Sequence, residues 1–475
     1  MDITRVNSQV TIIGAGVTGL ATAHFLAGQG IDTVVLEKDT RVGGTIRTER
    51  INGFLVELGP TSALDTSPVL HELFESVGVE DSVEYANEQA KNRYIVRGGR
   101  LNDLPMNPAA FLRTPLFSAS SKLRLLKEPF VPRSDPRGDP TLAEFVRRRL
   151  GEEFLDYAIN PFVAGVYAGN PEELSARSGF PKLWELEQTY GSLIRGAVMG
   201  ARARRARKTR SKQTARLFSF RCGMQQVVDA LSNALSGSVV TGAAVEMIEK
   251  IASGFAVTTR VRGRSVRHDS AALVLAVPAH AYDRLNFSFD FPLRRQLDGI
   301  VYPPVSVVFF GYDTHPARIP LDGFGFLIPK KENRRILGTI WNSAIFPGRA
   351  PAGGVALTTF VGGSRQPEQA LAGDGELVEA VKSELKDLMG IERSADAVVI
   401  ARWEKAIPQY RIGHSAAVES IERFERECPG FYVAGNFRGG ISVADCIQNA
   451  KSLSERIASE LPSRLREMCD APGRV

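Results

Sequence analysis

Three glycines at close, fixed spacing, Gly14, Gly16 and Gly19, lie in the run GAGVTG, and an acid, Glu37, follows about twenty residues on. Each has a physical task. Gly14 permits a tight turn, Gly16 lets a pyrophosphate approach the backbone, and Gly19 lets a helix pack closely on a strand. With Ala15, Val17 and Thr18 they form a helix start, which offers free N–H groups and a positive dipole end to phosphates. Glu37 is placed to accept both ribose hydroxyls, and its charge repels a 2′-phosphate, which disfavours NADP. The alternative reading is a structural turn without ligand.

These residues meet only if strand, turn, helix and strand arrive in order. VTII (10–13) reads as a short buried strand. Val17, Leu20, Ala21 and Leu26 mark the apolar face of a helix ending near Gly28 and Gly30. TVVL (33–36) reads as the second strand and ends in Glu37, and residues 50–58 alternate toward another. A second glycine pair, in Arg41-Val42-Gly43-Gly44-Thr45, is unnecessary for NAD. It suits a longer ligand whose flavin half continues past the first loop. Gly59-Pro60-Thr61-Ser62 exposes backbone suited to an isoalloxazine ring, although alone it reads as an ordinary β-turn.

The remaining chain changes texture twice. From about 105 to 200, proline-marked breaks separate short helices. Further on, Gly223 to Leu235 reads as a helix, then Val239 to Val245, Phe255 to Val261 and Ala271 to Val277 as strands. Residues 301–312, 324–328, 336–341 and 355–361 are β-rich and apolar. Glu376 to Met389 reads as an amphipathic helix, Phe431 to Ala434 as a strand, and Val443 to Leu461 as a long helix. At 475 residues the chain exceeds one core. No run of apolar residues is long enough to span a bilayer, and no secretory signal is read at the start. The four cysteines show no metal-ligand spacing, so no metal is expected and the thiols read as reduced and cytosolic. The net charge of +6 is local: residues 201–216 hold eight Lys or Arg and no acid, leaving +6 − 8 = −2 elsewhere. This run reads first as a solvated loop, then as an attraction to anionic lipid. It lacks the aromatics and the surrounding module of a nucleic-acid site, so no nucleic acid is expected.

Beyond the glycine motifs, the chain contains NRYIVRGGRL (92–101), KLRLLKEPFV (122–131), PFVAGVYAGNPEELS (161–175), GFGFLIP (323–329), LGTIWNS (337–343), TTFVGGSR (358–365), IPQYRIGH (407–414) and GNFRGGISVADCI (435–447). With these the sequence resembles the amine-oxidase-fold flavoproteins over nearly its whole length, and within them the protoporphyrinogen oxidase family. The resemblance implies an α/β fold, α+β overall. It has a discontinuous Rossmann-like FAD domain (1–90, 220–285, 405–465), a helical membrane-associated domain (100–205) and a β-rich substrate domain (286–404), with a basic loop at 201–216. It implies FAD contacts at Gly14 to Gly19, Glu37, Arg41, Gly44, Thr45, Gly59, Pro60, Thr61, Ser62, Val245, Ile441, Ser442 and Val443, with Trp403 near the flavin edge. It implies that Arg93 holds a substrate propionate and that Leu327, Ile340 and Phe360 sandwich a tetrapyrrole. Plain core is the alternative for those three.

Two positions depart from the family pattern, Glu404 after the tryptophan and Arg438-Gly439 in the last glycine turn. Covalent members of the superfamily carry a cysteine in that turn. None lies in 435–442, so FAD is expected to be noncovalent. The implied reaction is oxidation of protoporphyrinogen IX, with coproporphyrinogen III as alternative substrate and oxygen as electron acceptor. An amine or carotenoid oxidoreductase of the same fold is a more distant alternative. A bridge CH₂ loses hydride to flavin, and the charge delocalises into the pyrroles, so no protein acid or base is expected at the reacting carbon. A cytoplasmic, peripherally membrane-associated enzyme follows from this reading, which leaves a homodimer open.

Overall fold

The computed structural model describes residues 4–207, 215–317 and 320–470. In chain order its strands begin with β1 (Thr4–Ile13), β2 (Thr33–Leu36), β3 (Thr48–Ile51), β4 (Phe54–Glu57), β5 (Ala63–Leu64), β6 (Val83–Tyr85), β7 (Asn92–Arg97) and β8 (Arg100–Asp103). Then come β9 (Leu217–Phe220), β10 (Val239–Val240), β11 (Ala243–Ile251), β12 (Gly254–Val261) and β13 (Arg264–Leu275). Last are β14 (Val305–Tyr312), β15 (Gly323–Leu327), β16 (Gly338–Trp341), β17 (Val355–Gly362), β18 (Ala397–Trp403) and β19 (Phe431–Val433).

The first large sheet has the order β10-β2-β1-β13-β12-β11, with β19 beside the end of β13. Its β10, β2, β1, β13 and β19 run parallel. Parallel strands are covered on both faces, and residues 10–13 of β1 and all of β2 are buried and mostly apolar for that reason. Val10, Ile12 and Val35 enter one core with the helices Val17–Ala27, Gln225–Ala234 and Val443–Asp470. Ile13, Val34 and Leu36 enter the other, with Tyr282, Phe291 and Phe424.

The second sheet has the order β18-β14-β17-β16-β15-β7-β8. Val308, Phe310, Phe326, Trp341 and Leu357 bury one face against helix Asp374–Met389. The opposite face packs on hairpin β3–β4 near one end, through Phe309, Ala356 and Ala397 on Phe54, Val56 and Leu58. Between β8 and β9 the described residues are mostly helical, and helix Asn160–Tyr167 lies on this same face: a Cβ on Gly165 would collide with Leu327. In the helical segment a fully buried Arg149 pairs with Glu128 at 3.1 Å and Glu187 at 2.5 Å. Glu128 also accepts the Leu193 N–H at 2.9 Å, capping helix Leu193–Arg207 with charge that its dipole favours.

The α/β class expected from sequence is the class observed. Residues 50–58 are not one strand: they run from the end of β3 through a hairpin turn at Asn52 and Gly53, both at positive φ, into β4. Residues 201–207 continue a helix rather than a loop, because Leu193–Arg207 runs through them. The rest of the basic run, 208–214, lies outside the described residues.

Candidate active site

The strand ends of the first sheet converge on the glycine turn. Gly14 takes φ +106°, and a Cβ there would lie 2.7 Å from the Ala276 carbonyl oxygen at the end of β13. Gly19 packs so tightly on the Gly14 carbonyl that a Cβ would overlap it. Gly16, by contrast, faces open space, with nothing within 4 Å of a Cβ position. This is the pattern a bound pyrophosphate needs: two glycines for packing and one for approach. Gly16 caps helix Val17–Ala27 without any side-chain hydrogen bond, which leaves the first-turn N–H groups of Val17 and Thr18 without an intrahelical partner.

Glu37 is buried at the end of β2. Its carboxylate accepts the Ala15 N–H at 2.8 Å and the Asp39 N–H at 3.0 Å. The Glu37 carbonyl takes the Ala243 N–H at 2.7 Å, which brings β11, and with it Val245, beside the acid. The second glycine pair docks onto the first: the Gly43 N–H donates to the Ala15 carbonyl at 2.8 Å, and Gly44 lies against Gly16. Arg41 does not point away from this loop. Its guanidinium donates to the carbonyls of Val42, Ile46 and Gly44 at 3.2, 3.1 and 2.5 Å, so it acts by shaping the turn.

From there the backbone contacts run outward. Gly59 sits directly on the Thr45 carbonyl, leaving no room for a Cβ, and Pro60, Thr61 and Ser62 continue from it. Trp403, at the end of β18, donates its indole N–H to the Leu58 carbonyl at 2.7 Å. Ile441, Ser442 and Val443 open the long C-terminal helix, with Ser442 accepting the Asp445 N–H at 3.1 Å. That helix start meets the first helix through the Cys446 thiol and the Thr18 hydroxyl. Burial pushes the thiol up to about 11, so it stays protonated between two helices. The two helix N-termini, the acid and three backbone turns thus border one surface, and they fit a dinucleotide carrying a flavin.

The second sheet supplies the adjoining surface. Leu327 pairs with Gly338, Gly338 with Phe360, and Ile340 with Gly325 and Thr358. Because residues two apart share a face, Leu327, Ile340 and Phe360 all project to one side. Phe360 pairs with Val307 and Val305 with Trp403, so Trp403 is on that same side. Leu327 pairs with Ile95 across β7, which puts Arg93 there too. Phe360 packs with Ala164, Ala168 and Ile407, and Leu327 with Ile95 and Tyr157, whereas Ile340 is half-buried and joins no apolar cluster of the described residues. Tyr167, above this face, is pushed up to about 12 by burial and by the charge of Asp445. Arg93 is exposed, its guanidinium 6.0 Å from the Phe324 ring and, among the described residues, without an acidic partner. Arg97, two residues on, is tied to Glu153 at 2.7 Å and lies 4.4 Å over Tyr157.

Sequence reasoning missed Arg365. Its guanidinium donates to the Ile328 carbonyl at 2.7 Å, its Nε has no partner among the described residues, and burial lowers it to about 10. The arginine ending TTFVGGSR was the available signal.

The chain belongs to the flavin containing amine oxidoreductase family, whose model matches residues 17–458. It is therefore an oxidoreductase, and its cofactor is FAD. Protoporphyrinogen oxidase 2 of Arabidopsis thaliana is 34% identical to it, across 96% of this chain and 94% of that protein. The coproporphyrinogen III oxidase of Bacillus subtilis is 26% identical, across 93% and 96%. A structure from Exiguobacterium sp., provisionally assigned as a protoporphyrinogen oxidase, superposes with a TM-score of 0.80 at 24% identity, covering 97% of this chain and all of that one. Wild-type putrescine oxidase shares the fold at a TM-score of 0.69 and 17% identity, so the fold alone does not select the substrate.

Proposed function

We propose that the protein oxidises protoporphyrinogen IX to protoporphyrin IX with oxygen as electron acceptor. The observation that carries this reading is the single face of the second sheet that holds Trp403, Phe360, Ile340, Leu327 and Arg93 together. An apolar macrocycle laid along it meets aromatic and aliphatic side chains and, at the far edge, the Arg93 guanidinium, which has no acidic partner among the described residues. The chain's relatives named as protoporphyrinogen oxidases support the same substrate.

FAD, held noncovalently along Gly14 to Gly19, Glu37, Gly44, Thr45, Gly59 to Ser62, Val245 and Ile441 to Val443, supplies a hydride acceptor. The glycine turn and helix starts bind its phosphates, and Glu37 keeps lone pairs for ribose hydroxyls beyond the two backbone donors it already serves. Arg93 orients a propionate, and the apolar face holds a bridge carbon in register and keeps water from it. No acid or base of the protein is assigned to the reacting carbon. In domain terms, the first sheet and its helices are the FAD part, the second sheet is the substrate part, and residues 100–205 are a helical, membrane-facing part of a cytoplasmic enzyme.

A second reading, oxidation of coproporphyrinogen III, rests on Arg365. This half-buried cation, without an acidic partner among the described residues, donates to the Ile328 carbonyl beside Leu327, and extra propionates need cations there. The deciding experiment is kcat/KM for both porphyrinogens under the same aerobic conditions. Faster turnover of protoporphyrinogen IX supports the first reading, and a tenfold preference for coproporphyrinogen III overturns it. Acid precipitation of the yellow holoprotein is expected to release FAD into the supernatant, and flavin left in the pellet would refute noncovalent binding.

A further inference from the structure

The segment 407–414, IPQYRIGH, lies outside the flavin contacts assigned above, yet it is built around one buried phenol. The Tyr410 hydroxyl donates to the Asn436 carbonyl at 2.8 Å and accepts the Gly440 N–H at 3.0 Å. These two groups bracket the last glycine turn. Gly435, Gly439 and Gly440 in it sit at φ +149°, +79° and +128°, conformations that cost glycine little and leave the turn many alternatives. Its next residues are Ile441, Ser442 and Val443, where the long helix begins.

The phenol itself is firmly placed. Its ring stacks on His414 at 4.1 Å between centroids and 10° between planes. His414 bonds to the backbone of Phe437, and burial lowers it to about 4, so the ring stays neutral. The strap backbone is pinned from three sides. The Gln409 N–H donates to the Val301 carbonyl at 2.9 Å, the Ser175 N–H to the Tyr410 carbonyl at 2.8 Å, and the Gly413 N–H to the Asp139 carboxylate at 3.0 Å.

We infer that Tyr410 is a positioning residue for FAD: its hydroxyl bridges Asn436 to Gly440 and holds the glycine turn in the shape that presents Ile441, Ser442 and Val443 to the flavin. The inference rests on the FAD placement proposed above. One hydroxyl bonded to both ends of the same turn ties those ends together, which a phenylalanine of the same shape could not do.

Tyr410→Phe keeps the ring and its stack on His414 and removes only the bridge. Three quantities are measured: FAD affinity of the apoprotein by flavin fluorescence quenching, the shape of the bound flavin's visible band, and thermal unfolding of the apoprotein. Without the bridge the turn samples other shapes, so the expected result is an FAD Kd raised roughly tenfold or more with an altered visible band, while apoprotein unfolding shifts only by the modest loss of two hydrogen bonds. An unchanged Kd and band, with or without a lower unfolding temperature, overturns the positioning role. If Tyr410→Phe does not yield soluble protein, His414→Ala, which frees the phenol ring, is read in the same three ways. Glu37→Ala keeps the two failures apart. If it binds FAD as tightly as wild type, the FAD placement itself falls; if it binds weakly while Tyr410→Phe binds normally, only the positioning role falls.

Discussion

Arg93 and Arg97 share a strand and a face, but their surroundings give them different work. Arg97 is neutralised by Glu153 and covered by Tyr157, whereas Arg93 faces outward beside Phe324 with no described acid. An unpaired guanidinium at the rim of an apolar face is suited to a carboxylate, which it grips through two parallel N–H donors. Arg93→Ala is expected to lower kcat/KM by an amount equivalent to about 1.5–3 kcal/mol, roughly ten- to a hundredfold. Arg93→Lys restores little of this, because an ammonium cannot reproduce the fork. Steady-state kinetics with the porphyrinogen decides it, and an Arg93→Ala enzyme with unchanged kcat/KM removes the residue from the site. Ile340 is the second test at this scale. It is half-buried, joins no described apolar cluster, and stands between Gly325 and Thr358. Ile340→Ala is therefore expected to raise KM while shifting the unfolding temperature less than Val308→Ala, a fully buried position on the opposite face.

Hairpin β3–β4 joins the two sheets, and its last residue is a carboxyl group buried against a helix start. Glu57 accepts the Thr48 hydroxyl at 2.7 Å and the Met224 N–H at 2.8 Å, at the entrance to helix Gln225–Ala234. Burial raises it to about 7, against the pull of those two bonds and of Arg349. The native state therefore holds this proton at pH values where the unfolded chain has lost it. Stability from this group is fully present below about pH 4.5 and is lost as pH rises through about 7, a fall of roughly 3 kcal/mol. Glu57→Gln cannot titrate, so its stability relative to wild type should rise between pH 5 and 8 in denaturant titrations. A constant difference across that range would contradict the assignment. How much of these elements was legible follows from what each signal reports. Residues 10–13 of β1 and all of β2 announced themselves as short, mostly apolar runs, and GAGVTG with Glu37 marked their ends, whereas the polar start of β1, residues 4–9, gave no such signal. The hairpin turn was also written in the chain, as Asn52-Gly53, but the alternation around it reads equally well as one strand. Strands β7 and β18 carry arginines and join a sheet only through partners far along the chain, which no local pattern reports. Arg365 and Tyr410 were visible as letters. Their roles depend on carbonyls of Ile328 and Asn436, and backbone acceptors leave no trace in a sequence.

At the scale of the whole molecule, the large exposed apolar side chains are not spread evenly. Met106, Leu112, Leu123, Leu126 and Phe130 gather in the helical segment, with Leu126 70% and Phe130 80% exposed. Phe162, Val166, Ile194, Val198 and Met199 add to it on two further helices of that segment. Exposed Arg113, Arg124 and Lys127 interleave with the first group. No described helix is long and apolar enough to cross a membrane. Short helices that expose apolar side chains interleaved with basic residues suit an interface, where the chains enter the acyl boundary and the cations meet anionic headgroups. The protein is therefore expected to float with anionic liposomes at low salt, and a failure to float there defeats the idea. Two contributions are separable. Each basic residue near the surface adds about 1 kcal/mol, which salt screens within about 10 Å, so raising the ionic strength or deleting residues 202–213 should weaken binding without abolishing it. Replacing Leu112, Leu123, Leu126 and Phe130 together by Ser removes the apolar contribution, which salt does not screen, and should abolish flotation even at low salt. Turnover in detergent tests whether this surface is separate from the catalytic one. These side chains lie outside the face that carries Leu327, Ile340 and Phe360, so the fourfold variant should keep wild-type kcat in detergent while losing the membrane.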